Sequence, residues 1–168
     1  IVEIDPQVEI IARLHFKLPD DPQRMRILIG DGADYMRQPG KTYDAIFIDG
    51  FDKEGRAGVL DTLPFYQACR ARLSDSGIMS VNLLGRSRGF TASTERISTA
   101  FAGRALIFPS CDSGNAIGFG AGEEAVNVPL PTLIERATQL KEATGLNLLA
   151  TIPRLQAAGK LVDERLVI

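Results

Sequence analysis

Acidic side chains follow three strand-like segments of the sequence, at the point where each segment ends. Glu3 and Asp5 lie at the first end, Asp31 at the second, and Asp49 and Asp52 at the third. In sheets covered by helices, ligands bind beyond the carboxyl ends of the parallel strands. The sequence therefore predicts that these acids belong to one shared site.

Asp49 and Asp52 are three positions apart and follow the most apolar strand-like segment, residues 43–48. Two carboxylates that converge on one pocket attract a cation and can bind an amine. An alkyl ammonium, with a pKa of about 10, must lose a proton before its nitrogen attacks an electrophile. A positioned carboxylate can accept that proton. The pair is therefore predicted to activate and hold an amine; the alternative is that Asp52 only caps its own loop.

The other acids favour a nucleoside as the second ligand. An acid at the end of an early strand typically accepts hydrogen bonds from ribose hydroxyls, and Glu3 or Asp5 fits this role. Asp31 stands between two glycines, where the backbone can approach a planar ring and the carboxylate can accept from an exocyclic amine. Glu123 interrupts the one candidate phosphate loop, the glycine run at 118–122, which is predicted to be a strand end and turn. A nucleoside without a polyphosphate is therefore expected.

The elements that would position these acids alternate between strand-like and helix-like segments. The predicted strands are residues 1–4, 25–29, 43–48, 78–84, 105–108 and 115–119, and the predicted helices are 6–16, 33–36, 62–73, 91–101, 133–144 and 152–158. This alternation predicts an α/β fold, with a sheet layered between helices. Residues 45–48 are continuously apolar, which predicts a strand buried on both faces. The aromatic core candidates are Phe47, Phe65, Phe101, Phe108 and Phe119.

The composition is that of an ordinary globular protein, with 168 residues, 45% of them apolar and 24% charged. We therefore predict a single catalytic-type domain over residues 1–168 in a soluble, cytoplasmic protein. A net charge of −2 argues against nucleic acid as a partner, and the apolar runs are too short to cross a membrane. Cys69 and Cys111 are predicted to be reduced thiols, and the single histidine, His15, argues against a histidine-based metal site.

Three motifs, taken together, resemble the spermidine synthase family. They are Val2-Glu3-Ile4-Asp5, then Gly30-Asp31-Gly32, then residues 43–52 with the sequence YDAIFIDGFD. Leu63-Pro64-Phe65-Tyr66 continues the resemblance, which extends to about residue 122. The family consists of polyamine aminopropyltransferases. The resemblance implies a Rossmann-like, class I methyltransferase-type fold, a three-layer sandwich with a mostly parallel sheet.

The resemblance also implies a role for each matching residue. Glu3 resembles the acid that binds the ribose, Asp31 and Gly32 the pair that contacts adenine, Asp49 the proton acceptor, and Asp52 the acid that holds the amine. The implied reaction transfers an aminopropyl group from decarboxylated S-adenosylmethionine to an amine such as putrescine and releases methylthioadenosine. Decarboxylated S-adenosylmethionine or S-adenosylmethionine is the expected co-substrate, and no metal is expected.

Two other functions fit the same residues. An S-adenosylmethionine-dependent methyltransferase would use Glu3 and Asp31 equally well, and a catalytically silent nucleoside-binding module would need no base at Asp49. Lys53 beside Asp52 repels a dicationic substrate and competes for the carboxylate. The region 133–149 either packs on the sheet or forms part of a homodimer contact, and the sequence leaves both open.

The chain begins inside a strand-like segment, without an initiator methionine. In the fold that the resemblance implies, a central strand and a glycine-rich cofactor loop come before this point. The domain is therefore expected to be N-terminally incomplete and to lack its first strand. Without that strand, the strands ending at Ile4 and Ile29 would be separated from those ending at Ile48 and Leu84, and each group would expose an unpaired edge.

Overall fold

The computed structural model describes residues 1–85, 89–108 and 114–168 of the chain. Contacts among them divide the chain into two compact units, residues 1–41 and residues 42–168, and each unit is described by itself. The single domain expected from the composition stays a prediction, and Cys111 lies outside the described residues. Within the described residues, no helix is both long enough and apolar enough to cross a membrane.

The first unit is built around a pair of parallel strands. Its elements in chain order are strand β1 (Val2–Glu3), helix α1 (Pro6–His15), strand β2 (Leu28–Ile29) and helix α2 (Gly32–Arg37). Glu3 lies beside Ile29 in the parallel pair, and α1 supplies the crossover that parallel strands need. α1 begins where the sequence predicts, because the Asp5 carboxylate accepts the backbone N–H of Gln7 at 2.9 Å and caps the helix.

The second unit contains a larger mixed sheet. Its elements in chain order are strand β3 (Tyr43–Ile48), a 3-10 helix (Gly58–Asp61), helix α3 (Leu63–Ala71), strand β4 (Leu73–Leu84), helix α4 (Phe90–Ala100), strands β5 (Ala105–Ile107), β6 (Asn115–Ala121) and β7 (Asn127–Pro129), helix α5 (Leu130–Thr144), a 3-10 helix (Leu149–Thr151), helix α6 (Ile152–Ala157), and strands β8 (Leu161–Val162) and β9 (Arg165–Val167). Four strands form a sheet of order β3-β4-β6-β5, in which only β6 runs against the other three. This agrees with the predicted α/β fold and mostly parallel sheet.

A small antiparallel sheet of order β7-β9-β8 was not predicted. Its strands are two or three residues long, which is too short to show an alternating apolar pattern. The turn between β8 and β9 places Asp163 and Glu164 at φ of 48° and 55°. Such left-handed hairpin turns usually carry glycine or asparagine, so this dipeptide gives no turn signal.

The core of the second unit lies between the four-stranded sheet and helices α3 and α4. The largest fully buried side chains come from these helices, from β4 and from the end of α4, and they are Tyr66, Cys69, Met79, Ile97 and Phe101. Burial raises the pKa of the Cys69 thiol to about 12, because a thiolate would be poorly solvated there. The thiol is therefore protonated at neutral pH.

The predicted burial of residues 45–48 on both faces of the sheet is wrong. Ile48 is buried, whereas its neighbour Phe47 is 81% exposed. Successive side chains of a strand point to opposite faces, so Ile48 shares one face with its buried strand partner Val81, and Phe47 points to the other face. Of the other aromatic core candidates, Phe65 and Phe101 are buried, and Phe108 and Phe119 are half-buried.

The glycine run at 118–122 brings β6 close to helix α4. A Cβ atom at Gly120 would lie 2.7 Å from the ring of Phe101, and one at Gly118 would lie 3.0 Å from Ile97. Distances below about 3 Å are too short for a carbon–carbon contact, so Gly120 needs to be glycine, whereas a side chain at Gly118 would require its neighbours to shift slightly. The run is the end of a strand, as predicted, and its glycines at 118 and 120 serve helix–sheet packing.

Candidate active site

Glu3 lies at the carboxyl end of the parallel strand pair of the first unit. It is the last residue of β1, and its carbonyl oxygen accepts the backbone N–H of Gly30 at 2.9 Å. Oε1 of its half-buried side chain accepts the backbone N–H of Asp5 at 2.9 Å. Among the described residues, none donates to Oε2, which remains available to an outside donor.

Asp31 lies at the end of the neighbouring strand and caps helix α2. Its Oδ1 accepts the backbone N–H of Ala33 at 2.7 Å and that of Asp34 at 3.2 Å. Gly32 is the first residue of the helix, so its backbone directly follows the capping residue Asp31. Capping occupies Oδ1 only, and the described residues give Oδ2 no donor.

Asp49 follows β3 directly, and its carboxylate is held by the neighbouring strand. Ile48 lies beside Val81 in the parallel β3–β4 pair, which brings the next residues, Asp49 and Asn82, to the same edge of the sheet. Asn82 donates from Nδ2 to Asp49 Oδ1 at 2.9 Å. Asp49 is exposed, and Oδ2 has no donor within the described part of the chain. The register between β3 and β4 brings these two residues together, and no local sequence motif marks it.

Asp52 caps its own loop, the alternative that the sequence left open. Its Oδ1 accepts the backbone N–H groups of Glu54 at 2.9 Å and Arg56 at 2.8 Å. Its Oδ2 accepts Nε of Arg56 at 2.8 Å, and Nη2 of the same guanidinium is also 2.8 Å away. The backbone N–H and the guanidinium of Arg56 hold the pKa of the Asp52 carboxyl below its usual range. A role of Asp52 toward an amine stays a prediction.

The structure thus brings the predicted site residues together in two groups, one in each unit. Glu3, Asp31 and Gly32 lie at the paired strand ends of the first unit, and Asp5 is used to cap α1. Asp49 and Asp52 lie on the loop that follows β3 in the second unit. Each group therefore stands at carboxyl ends of parallel strands, where the sequence placed it.

A cavity of about 270 Å³ opens in the second unit beside the ends of β3 and β4. Its walls are mainly apolar, with side chains that include Ile48, Leu60 and Val81. Among the described residues, the charged side chains that line it are Arg56 and Asp61. Asn82 lines it as well, so the cavity lies next to the amide that holds Asp49.

Asp61 is the centre of a polar network that sequence reasoning missed. Its Oδ1 accepts the Tyr66 hydroxyl at 2.9 Å, and its Oδ2 accepts Ser93 Oγ at 2.7 Å and Arg96 Nη1 at 2.9 Å. Burial, followed by the negative charge of Asp61, raises the pKa of Tyr66. The donors come from two different helices, so no local motif marks the network.

Residues 1–84 match the family model of the spermine/spermidine synthase domain. This chain belongs to the spermine/spermidine synthase family. The matched residues include Glu3, Asp31, Gly32, Asp49 and Asp52, and the family that the three sequence motifs indicated is confirmed.

Two relatives in this family are polyamine aminopropyltransferases. The protein of Neisseria meningitidis serogroup A is 32% identical over 157 residues, which are 94% of this chain and 60% of that protein. The protein of Chromobacterium violaceum is 29% identical over 167 residues, which are 99% of this chain and 64% of that protein. The chain therefore spans less than two thirds of the length of these relatives.

Solved structures share the fold of this chain. The crystal structure of a spermidine synthase in complex with the transition state analogue AdoDATO matches with a TM-score of 0.60 and 32% identity, over 73% of this chain and 45% of that chain. Human methyltransferase-like protein 13, in complex with SAH, matches with a TM-score of 0.72 and 23% identity, over 84% of this chain and 68% of that one. The match to human methyltransferase-like protein 13 shows a similarity of fold only. Both confirm the predicted class I methyltransferase-like fold.

Proposed function

We propose that this spermidine synthase family member transfers an aminopropyl group from decarboxylated S-adenosylmethionine to a small amine. The observation that carries the proposal is the position of Asp49, at the carboxyl end of β3 with Oδ1 bonded to Asn82 and Oδ2 available. The relatives named polyamine aminopropyltransferases support this reaction. The proposal concerns the whole protein. The acidic residues to which it assigns roles lie in the two described units.

We assign the first unit to the nucleoside. Glu3 Oε2 accepts from ribose hydroxyls, and Asp31 Oδ2 accepts from the adenine amino group, while Gly32 allows the ring to approach the backbone. Both carboxylates are oriented by backbone N–H groups through their other oxygen, so they are held in place before the ligand arrives. The spermidine synthase complex with AdoDATO supports an S-adenosylmethionine-related ligand.

Asp49 is assigned the proton transfer. The sulfonium of decarboxylated S-adenosylmethionine supplies a good leaving group when bound. Asp49 Oδ2 accepts a proton from the ammonium of the acceptor, which frees the nitrogen lone pair. A C–N bond forms as the C–S bond breaks, and the bonding electron pair moves to sulfur, so that methylthioadenosine is released. Asn82 keeps Oδ1 engaged and thereby directs Oδ2 to the amine.

Product analysis tests this proposal on the protein expressed from its complete gene. With decarboxylated S-adenosylmethionine and an amine, we expect methylthioadenosine and an aminopropylated amine. Asp49→Asn should lower turnover by about 10²–10⁴-fold, the usual contribution of a positioned general base, and leave binding of decarboxylated S-adenosylmethionine unchanged in calorimetry.

Asp44→Asn is the matched control, because Asp44 lies at the other end of β3 and accepts Ser74 Oγ at 2.9 Å. This variant should keep its activity. Formation of S-adenosylhomocysteine from S-adenosylmethionine, without aminopropyl transfer, would move the protein to the methyltransferases. Full aminopropyl transfer by Asp49→Asn would refute the assigned base.

A further inference from the structure

The loop that follows β3 ends at Asp61, and helices α3 and α4 hold the carboxylate of this residue in place. Tyr66 of α3 donates its hydroxyl to Oδ1 at 2.9 Å, whereas Ser93 and Arg96 of α4 donate to Oδ2 at 2.7 and 2.9 Å. Tyr66 and Ser93 are buried and the Asp61 side chain is 23% exposed, so water competes little for these bonds. The end of the loop is therefore fixed to both helices.

A contact within the loop connects this fixed end to Asp49. Gly50 directly follows Asp49, and a Cβ atom at Gly50 would lie 2.5 Å from Cδ1 of Leu60. Carbon atoms in contact are normally about 3.5–4.0 Å apart, so the Leu60 side chain occupies the space that a larger residue at position 50 would need. Leu60 directly precedes Asp61 in the 3-10 helix. The backbone next to Asp49 therefore packs against the residue next to Asp61.

The direction of Asp49 Oδ2 depends on this backbone as well as on Asn82. Within the described part of the chain, Asn82 is the one donor to the Asp49 carboxylate, and Asp49 is exposed. One hydrogen bond to Oδ1 leaves the other oxygen free to turn, so the position of the backbone at residues 49 and 50 determines where Oδ2 lies. A reacting group that is misplaced by about 1 Å can cost about 10²-fold in rate.

We propose that Asp61 is a positioning residue for Asp49 in the aminopropyl transfer. The bonds of Asp61 to α3 and α4 fix the 3-10 helix, Leu60 on this helix packs on Gly50, and the backbone thereby directs the carboxylate of the base to the amine. The inference rests on the proposed function and names a further residue on which the proton transfer depends. Asp61 itself moves no proton.

The substitution Asp61→Asn tests this role on the protein expressed from its complete gene. An asparagine can still accept from the Tyr66 hydroxyl, but its amide N–H groups would face the Arg96 guanidinium, so the bonds to α4 are lost. We expect kcat to fall by about ten- to a hundredfold with decarboxylated S-adenosylmethionine and an amine. KM for decarboxylated S-adenosylmethionine should not change, because the residues assigned to the nucleoside lie in the first unit.

Asp44→Asn is the matched control, because Asp44 likewise accepts a serine hydroxyl, that of Ser74 at 2.9 Å, but at the other end of β3. The kcat of this variant should equal that of the wild type. An equal loss of kcat in Asp44→Asn and Asp61→Asn would overturn the specific role of Asp61.

A double-mutant cycle separates positioning of the base from a merely structural role. In the Asp49→Asn background, a residue that acts through the base has nothing left to position, so adding Asp61→Asn should change kcat by less than about twofold. The same fall in both backgrounds would overturn the inference. Tyr66→Phe, which removes one donor and keeps the ring in the core, should show the same masking after a smaller fall, and it serves if Asp61→Asn does not fold.

Hydrogen exchange, measured by mass spectrometry, tests the positioning without the reaction. In Asp61→Asn, the backbone N–H groups of residues 49–60 should exchange faster than in the wild type, because the end of the loop is released, whereas those of α1 in the first unit should exchange at the same rate. Unchanged exchange in residues 49–60 would overturn the inference. If the wild type yields no methylthioadenosine with any amine, aminopropyl transfer is refuted, and the exchange rates still decide whether Asp61 holds the loop.

Discussion

The amide of Asn82 determines which oxygen of Asp49 is presented to a substrate. Its Nδ2 faces Asp49 Oδ1 at 2.9 Å, and its own Oδ1 is buried without a partner among the described residues. Rotating the amide would place two acceptor oxygens against each other, so the observed orientation is favoured. Asn82 is therefore a positioning residue, which acts on the amine through Asp49.

Replacing Asn82 by leucine, which is of similar size but cannot donate, should lower kcat by about ten- to a hundredfold, the range for a hydrogen bond to a charged group. KM for the nucleoside should not change. Asn82→Asp should shift the acid limb of the pH–rate profile to higher pH, because two adjacent carboxylates resist being ionised together. A purely structural role would lower activity in both variants and leave the pH profile where it is.

The positions of the acidic residues could be predicted from the sequence, but their hydrogen bonds and ion pairs could not. Asp49 and Asp31 were found because each directly follows a strand-like segment, and strand ends are visible in the apolar pattern. The ion pair of Asp52 with Arg56 was not found, because a loop of this length can fold in many ways and the charges alone do not select one. The Asn82 bond depends on the register between β3 and β4, which a single sequence does not contain.

At the scale of elements, β6 and α4 pack closely against each other in the second unit. Gly120 lies within β6, and the ring of Phe101, at the end of α4, rests on its backbone. The apolar periodicity of α4 was enough to predict the helix, but the reason for the glycines was visible only once the helix was placed on the sheet. The α4 helix was thus predicted, whereas the three short strands of the β7-β9-β8 sheet were not.

Gly120→Ala should destabilise the protein by about 1–3 kcal/mol, the usual cost of overpacking a well-packed core. The added Cβ would lie 2.7 Å from three atoms of the buried Phe101 ring, and neither the strand nor the ring has room to move. Urea-induced unfolding followed by circular dichroism measures the change. Gly89→Ala is the control, because a Cβ there meets no atom of the described residues within 4 Å, and its free energy of unfolding should change by at most about 0.5 kcal/mol. Equal effects of the two substitutions would contradict the packing argument.

At the scale of the whole molecule, the motifs predicted the family because they occur in order across the chain, and the α/β alternation predicted the fold. The same patterns do not reveal how buried ionisable groups affect the free energy of unfolding. Tyr66 and Cys69 lie on α3, are fully buried, and have pKa values raised chiefly by that burial. Both side chains are uncharged at pH 7, so burying them places no charged group in the core at that pH.

Stability should therefore fall steeply at alkaline pH. An unfolded chain releases the Cys69 proton near the ordinary thiol pKa of 9.0, whereas the native state keeps it up to about 12. Between these values the native state binds more protons, so the free energy of unfolding decreases as pH rises, by at most about 1.4 kcal/mol per pH unit. Urea unfolding from pH 8 to about pH 10, under reducing conditions, measures this slope.

Cys69→Ala should show a flatter slope above pH 9, because Cys111 remains in both proteins and the difference isolates Cys69. Equal slopes would mean that the thiol ionises in the native state as readily as in the unfolded chain, which its burial between the sheet and α3 opposes.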